Sequence, residues 1–144
     1  MEKIIIYVEA EINPTEDEAK VKIAINNVLG NSAISIEPAQ KSNKLVAKAE
    51  GHDSLIKLRT LLRNDRIRDA ARKVLFRSIR GNRIFFCLNK QVAFAGHVSF
   101  CEENAESPLG PITFAIEAEQ PQRLVEWLAE KTVWEKETWL KGLQ

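Results

Sequence analysis

The densest chemistry in the sequence is cationic. Lys57, Arg59, Arg63, Arg66, Arg68, Arg72, Lys73, Arg77, Arg80 and Arg83 stand in one stretch against only Asp65 and Asp69. Guanidinium and ammonium groups at that density neutralise phosphates, whose backbone contacts supply most of the non-specific affinity for nucleic acid. An amphipathic helix needs a solvated face in any case, and the same side chains can pair with the acidic strand face at Glu9 and Glu11 or with the first helix's Glu16 and Glu18. The candidate phosphate contacts are Arg59, Arg63, Arg66, Lys73, Arg77 and Arg80, joined by Lys90, a polar residue between two apolar strands.

Other reactive side chains are sparse. Ser54 and Lys57 have the spacing of some acyl-transfer pairs, but a serine at this point also suits a helix cap. With His52 and His97 as the only imidazoles and no Gly-x-Ser-x-Gly turn, a hydrolase triad lacks material. Cys87, His97 and Cys101 could approach one another on neighbouring strands, yet zinc would need a fourth ligand and no Cys-x-x-Cys pair accompanies them. They are read as ordinary buried side chains, with no metal. Phosphate loops of the Gly-x-Gly-x-x-Gly or P-loop type do not occur, and Glu9 and Glu11 fit the wet face of a strand. The expectation is a non-enzymatic protein without a cofactor.

The elements that must carry these groups are legible from periodicity. Residues 3–12 alternate as a half-buried strand. Thr15 and Glu18 then form a capping box for a helix over about 16–29, with Gly30 as its left-handed stop. Segments 33–37 and 44–50 alternate as a hairpin. From 53 to 80 the pattern is helical, but the apolar set Leu55, Leu58, Leu62 is rotated from Ile67, Ala70, Ala71, Val74, Leu75 at about 100° per residue, which predicts a break near Asn64 and Asp65. Strands are expected at 83–88, 97–101 and 112–118, with 89–96 as the connection. Helices follow from Pro121 and from a second capping box at Thr132 and Glu135.

The order β-α-β-β-α-α-β-β-β-α-α predicts an α+β fold, a largely antiparallel sheet with helices packed on it. A chain of 144 residues supports one core that hides roughly two thirds of its unfolded surface, so 1–144 is expected to be a single domain, its C-terminal helical segment at about 121–143. The net charge of +1 gives no global attraction to polyanions, so any such attraction is local. The first residues lack the basic region of a signal peptide and no apolar stretch approaches ~20 residues, pointing to the cytoplasm and reduced thiols. Leu45 to Ala49 carries no aromatic, there is no Gly-x-x-Gly clamp, and Tyr7 has Glu9 and Glu11 beside it, so the common single-strand RNA platforms are not expected.

Several segments together resemble a known group: Asn13-Pro14-Thr15-Glu16-Asp17, the run from Leu58-Arg59 through Leu62-Arg63 to Arg66-Ile67 and Ala71-Arg72, Asn89-Lys90-Gln91 with Ala93 and Gly96, and Ser107-Pro108-Leu109-Gly110-Pro111-Ile112. Over nearly the whole chain the sequence resembles archaeal uncharacterised protein family 0201, grouped with predicted RNA-binding proteins and a predicted exosome subunit. The resemblance implies an α+β fold like that of a ribosomal protein that binds 5S rRNA, and a homodimer. Ser107 to Pro111 is expected to be a rigid turn into the strand near Ile112.

Two functions compete at this point. One is an RNA-associated or ribonucleoprotein-associated module contacting phosphates through the basic run and Lys90. The other is a homodimeric protein-interaction module whose arginines form ion pairs. Its contact surface would be the terminal helices, where Trp127, Trp134 and Trp139 are more aromatic surface than two short helices readily hide.

Overall fold

In the computed structural model, which describes residues 3–30, 32–38, 43–101 and 110–131, the elements are β1 (Ile4–Ile12), α1 (Glu18–Val28), β2 (Ala33–Pro38), β3 (Asn43–Glu50), a 3₁₀ turn (His52–Leu55), α2 (Ile56–Asn64), α3 (Arg68–Arg77), β4 (Ile79–Arg80), β5 (Arg83–Asn89), α4 (Lys90–Phe94), β6 (Phe100–Cys101), β7 (Pro111–Ala118) and α5 (Pro121–Leu128). The strands form one open, antiparallel, seven-stranded sheet in the order β2-β3-β1-β7-β5-β4, and β6 also pairs with β5. The α+β class and the antiparallel sheet are as expected.

Alternation decides which face is covered. Ile4, Ile6, Val8 and Ala10 of β1, Leu45 and Ala47 of β3, Ile84, Phe86 and Leu88 of β5, and Ile112, Phe114 and Ile116 of β7 are all buried on one face. Against them lie Val21, Ala24, Ile25 and Val28 of α1, Leu58 and Leu62 of α2, Ala71 and Leu75 of α3, and Leu124, Val125 and Leu128 of α5. Phe86 and Phe114 stack at 4.9 Å between ring centres. Truncating a fully buried leucine here, such as Leu58, removes the transfer energy and leaves a cavity, a loss of about 2–5 kcal/mol.

The break between α2 and α3 falls where the apolar phase changes. Its closure is a Schellman turn: Ile67 N–H donates to Leu62 O and Arg66 N–H to Arg63 O, at 3.2 Å each. The left-handed position of that turn, normally glycine, is held by Arg66 at φ 57°, the only non-glycine residue with positive φ among the described residues. The β4–β5 hairpin instead has Gly81 at φ 61° as its first loop residue, where a type II′ turn requires it.

Several local expectations are corrected. α1 starts at Glu18 with Asp17 as its cap, the Asp17 carboxylate accepting from Ala19 N–H at 2.9 Å. Thr15 and Glu18 do not form the box because Glu16 closes a preceding turn on Asn13, accepting from both its backbone and its side-chain nitrogen. Gly30 is not left-handed: Leu29 leaves the helix extended, and Gly30 N–H donates to Ser54 O. The strand expected at 97–101 shrinks to Phe100–Cys101, because His97 N–H closes a turn on Val92 O and Val98 N–H is taken by Asp65. The connection 89–96 contains α4, capped by Asn89. The expected last helix with Thr132, Trp134, Glu135 and Trp139, and Ser107 to Leu109 of the rigid turn, lie outside the described residues.

Candidate nucleic-acid interface

The basic run occupies α2, the Schellman turn, α3 and β4, and its arginines divide by what they touch. Arg59 of α2 is held at three points. Its Nε donates to Trp127 O at 2.9 Å, its guanidinium lies 5.2 Å from the Trp127 ring, and its Nη2 reaches Glu130 Oε1 at 3.0 Å. Arg63, one turn on, bonds the same Oε1 at 3.0 Å, and Arg68 at the start of α3 approaches it to 3.7 Å. Three guanidiniums therefore converge on one carboxylate oxygen, and among the described residues three cations less one anion leave a surplus of two positive charges in the cluster. Arg72 forks onto Glu126, at 2.7 and 3.0 Å, and donates to Ala129 O. Arginine on the last carbonyls of α5 satisfies the free acceptors of a helix end and complements its negative pole.

The ion-pair partners are thus the glutamates at the end of α5, together with Glu117 of β7 for Arg83 at 2.8 Å. The pairing with Glu16 and Glu18 of the first helix that the sequence allowed does not form, since none of the described arginine salt bridges reaches them.

Arg66, Lys73, Arg77 and Arg80 are exposed, and among the described residues none has a carboxylate partner. Arg77 Nε donates to Lys73 O, and Arg80 Nη1 to Arg77 O and Ile79 O, which caps the end of α3 while leaving most guanidinium N–H groups outward. Lys73 and Arg77 line an open cavity of about 580 Å³ with Asp69, Arg72 and Phe76. Among the described residues the run thereby carries more cations than carboxylate partners.

Lys90 does not belong to it. It is 3% exposed, and its Nζ donates to Glu11 O at 2.8 Å and Glu16 Oε1 at 2.9 Å. Reaching phosphate would break a buried ion pair, so its assignment as a phosphate contact is withdrawn. Burial works to raise the Glu16 carboxyl, but the hydrogen bonds from Lys90 and Asn13 outweigh it and hold it below the ordinary glutamate range.

The remaining candidates are also placed. Ser54 is buried and donates to Glu50 O at 3.1 Å rather than capping a helix, while Lys57 Nζ donates to Asn26 O, so the two do not meet as a catalytic pair. His97 Nδ1 is 2.9 Å from Asp65 Oδ1. Burial pushes the Asp65 carboxyl up, but His97 and the Val98 N–H together bring it below its usual value. Cys87 and Cys101 stand directly opposite on β5 and β6 as free thiols, burial and the neighbouring Cys87 raising Cys101.

One feature escaped sequence reasoning. On the sheet face away from the helices, Tyr7 of β1, Ala115 of β7 and Phe85 of β5 stand in one row, with Tyr7 38% and Phe85 47% exposed. Two strand spacings separate the rings, about 10 Å. Alternation alone places each ring on a face, but only the strand order, unknown from sequence, puts them beside each other. Around them lie Glu9, Glu11, Glu50 and Glu117 with Lys44, Lys48 and Arg83.

A family model described as RNA binding matches residues 5–118. A UPF0201 protein of Sulfolobus acidocaldarius is 46% identical over 127 residues, 88% of each chain. The chain belongs to the UPF0201 family. A second UPF0201 relative, from Sulfurisphaera tokodaii, is 46% identical over 132 residues, 92% of this chain and 90% of its own. The crystal structure of the UPF0201 protein from Methanococcus jannaschii superposes with a TM-score of 0.78 at 32% identity, over 89% of this chain and 94% of that one. A DUF54 protein from Methanothermobacter thermautotrophicus shares the fold, with a TM-score of 0.62 at 19% identity over 88% and 95%.

Proposed function

We propose that this UPF0201 protein is a non-enzymatic RNA-associated module that holds phosphates along the α2–α3–β4 edge, through Arg59, Arg63, Arg66, Lys73, Arg77 and Arg80. The observation that carries it is the charge surplus of that edge: three arginines share one glutamate, and four further cations have no described carboxylate partner. The RNA-binding description of the matching family model supports the same partner. No helix among the described residues is long and apolar enough to cross a membrane, and we place the protein in the cytoplasm as part of the same proposal.

Such binding is electrostatic and weakly sequence-specific. With four or more phosphate contacts, affinity for a labelled RNA falls on the order of a hundredfold between 50 and 200 mM salt. Titration of structured and single-stranded RNAs across that range tests it. Absence of binding at tens of micromolar protein and low salt overturns it.

The second function in contention, a homodimeric interaction module, finds support on the open sheet face, where Tyr7 and Phe85 are exposed together. The tryptophan surface first considered for it is reduced, since Trp127 packs partly buried against the core with Arg59 and His52 on its ring. Light scattering at micromolar concentration separates a mass near 16 kDa from its double.

A further inference from the structure

Three guanidiniums on a single carboxylate oxygen are more cation than the ion pair needs. Like charges gathered within 4 Å of one atom repel, and the fold holds them there from two helices, Arg59 and Arg63 on α2 at 3.0 Å and Arg68 on α3 at 3.7 Å, against Glu130 just past α5. The cluster is recessed on one side and open on the other: the Arg68 side chain is 18% exposed and that of Arg63 49%. Arg63 gives the carboxylate one N–H of its five, and Arg68 is too far for a hydrogen bond, so Glu130 uses few of the donors gathered around it.

We propose that this cup, Arg59, Arg63 and Arg68 around Glu130, is a binding site for a phosphate dianion, and specifically for the terminal phosphomonoester of an RNA chain. The proposal rests on the RNA-binding function above and adds which phosphate the site prefers. The surplus of two positive charges that the cluster carries among the described residues is neutralised by a dianion and only halved by the single charge of an internal phosphodiester. Arginine forks match phosphate oxygens in pairs, which a lone glutamate oxygen cannot use. Glu130 acts as a resident anion that keeps the three arginines assembled in the empty site and is displaced from part of its contacts when phosphate arrives.

That role gives an unusual expectation. Glu130→Gln removes the competitor while keeping shape, so the full-length variant binds phosphate about tenfold more tightly, whereas Arg63→Gln and Arg68→Gln each bind about tenfold more weakly. A 5′-phosphorylated oligoribonucleotide binds about tenfold better than its 5′-hydroxyl counterpart. That difference grows from pH 5 to pH 7.5 as the phosphomonoester loses its second proton near about pH 6. Calorimetry with inorganic phosphate and with the two oligonucleotides measures all three, with circular dichroism reporting whether each variant is folded. If Glu130→Gln does not fold, the exposed Arg63→Gln and the pH dependence still decide. Equal affinity for the two oligonucleotides at every pH, or phosphate binding weakened by Glu130→Gln in a folded protein, overturns the site while leaving general RNA binding standing. Binding of inorganic phosphate that responds to these variants, with no RNA bound, keeps the cup and refutes the RNA function.

Discussion

The helical edge and the open sheet face present opposite solutions to a charged surface. On the sheet, acids and bases alternate across strands: Lys44 pairs with Glu9 at 3.4 Å, Lys48 lies 5.7 Å from the Tyr7 ring and Arg83 meets Glu117, so the charges there are largely spent on neighbours. On the edge, Glu126 and Glu130 answer only part of a long arginine series. A face that balances itself suits contact with a neutral or self-complementary partner. An unbalanced edge attracts a polyanion from solution and releases its counterions on contact.

The sharpest way to break this comparison is to reverse charge on one region and remove rings from the other. Arg66→Glu, Lys73→Glu and Arg80→Glu together lower RNA affinity at 50 mM salt by at least about a hundredfold and leave the fold intact, since each substitution is on the surface. Tyr7→Ser with Phe85→Ser changes RNA affinity less than about twofold, and halves the mass in light scattering if copies meet through the sheet. Fluorescence titration of both variants reads the contrast, and an RNA loss confined to the sheet variant would invert the assignment.

A second test separates phosphate contacts from architecture. Lys90→Met strands Glu16 in a nearly buried position and costs about 3 kcal/mol or more of stability, measurable by denaturant unfolding, with the RNA salt slope unchanged. The pH dependence has a definite sign. Glu16 and Asp65 both titrate below their ordinary ranges in the folded protein, so the stability they contribute is present above the unfolded carboxylate values of about 4 and is lost as pH falls through the lower folded ones. In Lys90→Met the Glu16 part of that acid transition moves upward.

The smallest expected effect is at Arg66. Arg66→Gly relieves a left-handed arginine, worth up to ~1 kcal/mol against the entropy of a freer unfolded chain, so stability holds or rises slightly while RNA affinity falls a few-fold. Melting and binding that move in opposite directions would show a cation kept at a glycine position for its charge. A parallel loss of both would make Arg66 structural.

What the sequence disclosed was local. The alternation of Ile4 to Ala10, the phase change at Asn64–Asp65 and the helix opened by Pro121 each depend on neighbours within a few residues, and each appears in the structure. What it withheld depends on distant partners. Arg59 meets Glu130 across 71 residues, Lys90 meets Glu16 across 74, and Phe85 joins Tyr7 only through β7. A lysine next to Asn89, at the end of an apolar strand and the start of a short helix, reads as exposed until the turn at Asn13 closes over it.

The carboxylate of Asp65 spans two kinds of order at once. The backbone N–H of the same residue closes the corner of α2 on Leu61 O, while the carboxylate meets His97 through Oδ1 and, through Oδ2, holds the amide of Val98, which no strand partner takes. That amide is therefore protected by a side chain from the far end of another element. Its hydrogen exchange reports opening of the helical corner rather than fraying of the sheet, and protonation of Asp65 in acid unlocks it ahead of its neighbours in β5.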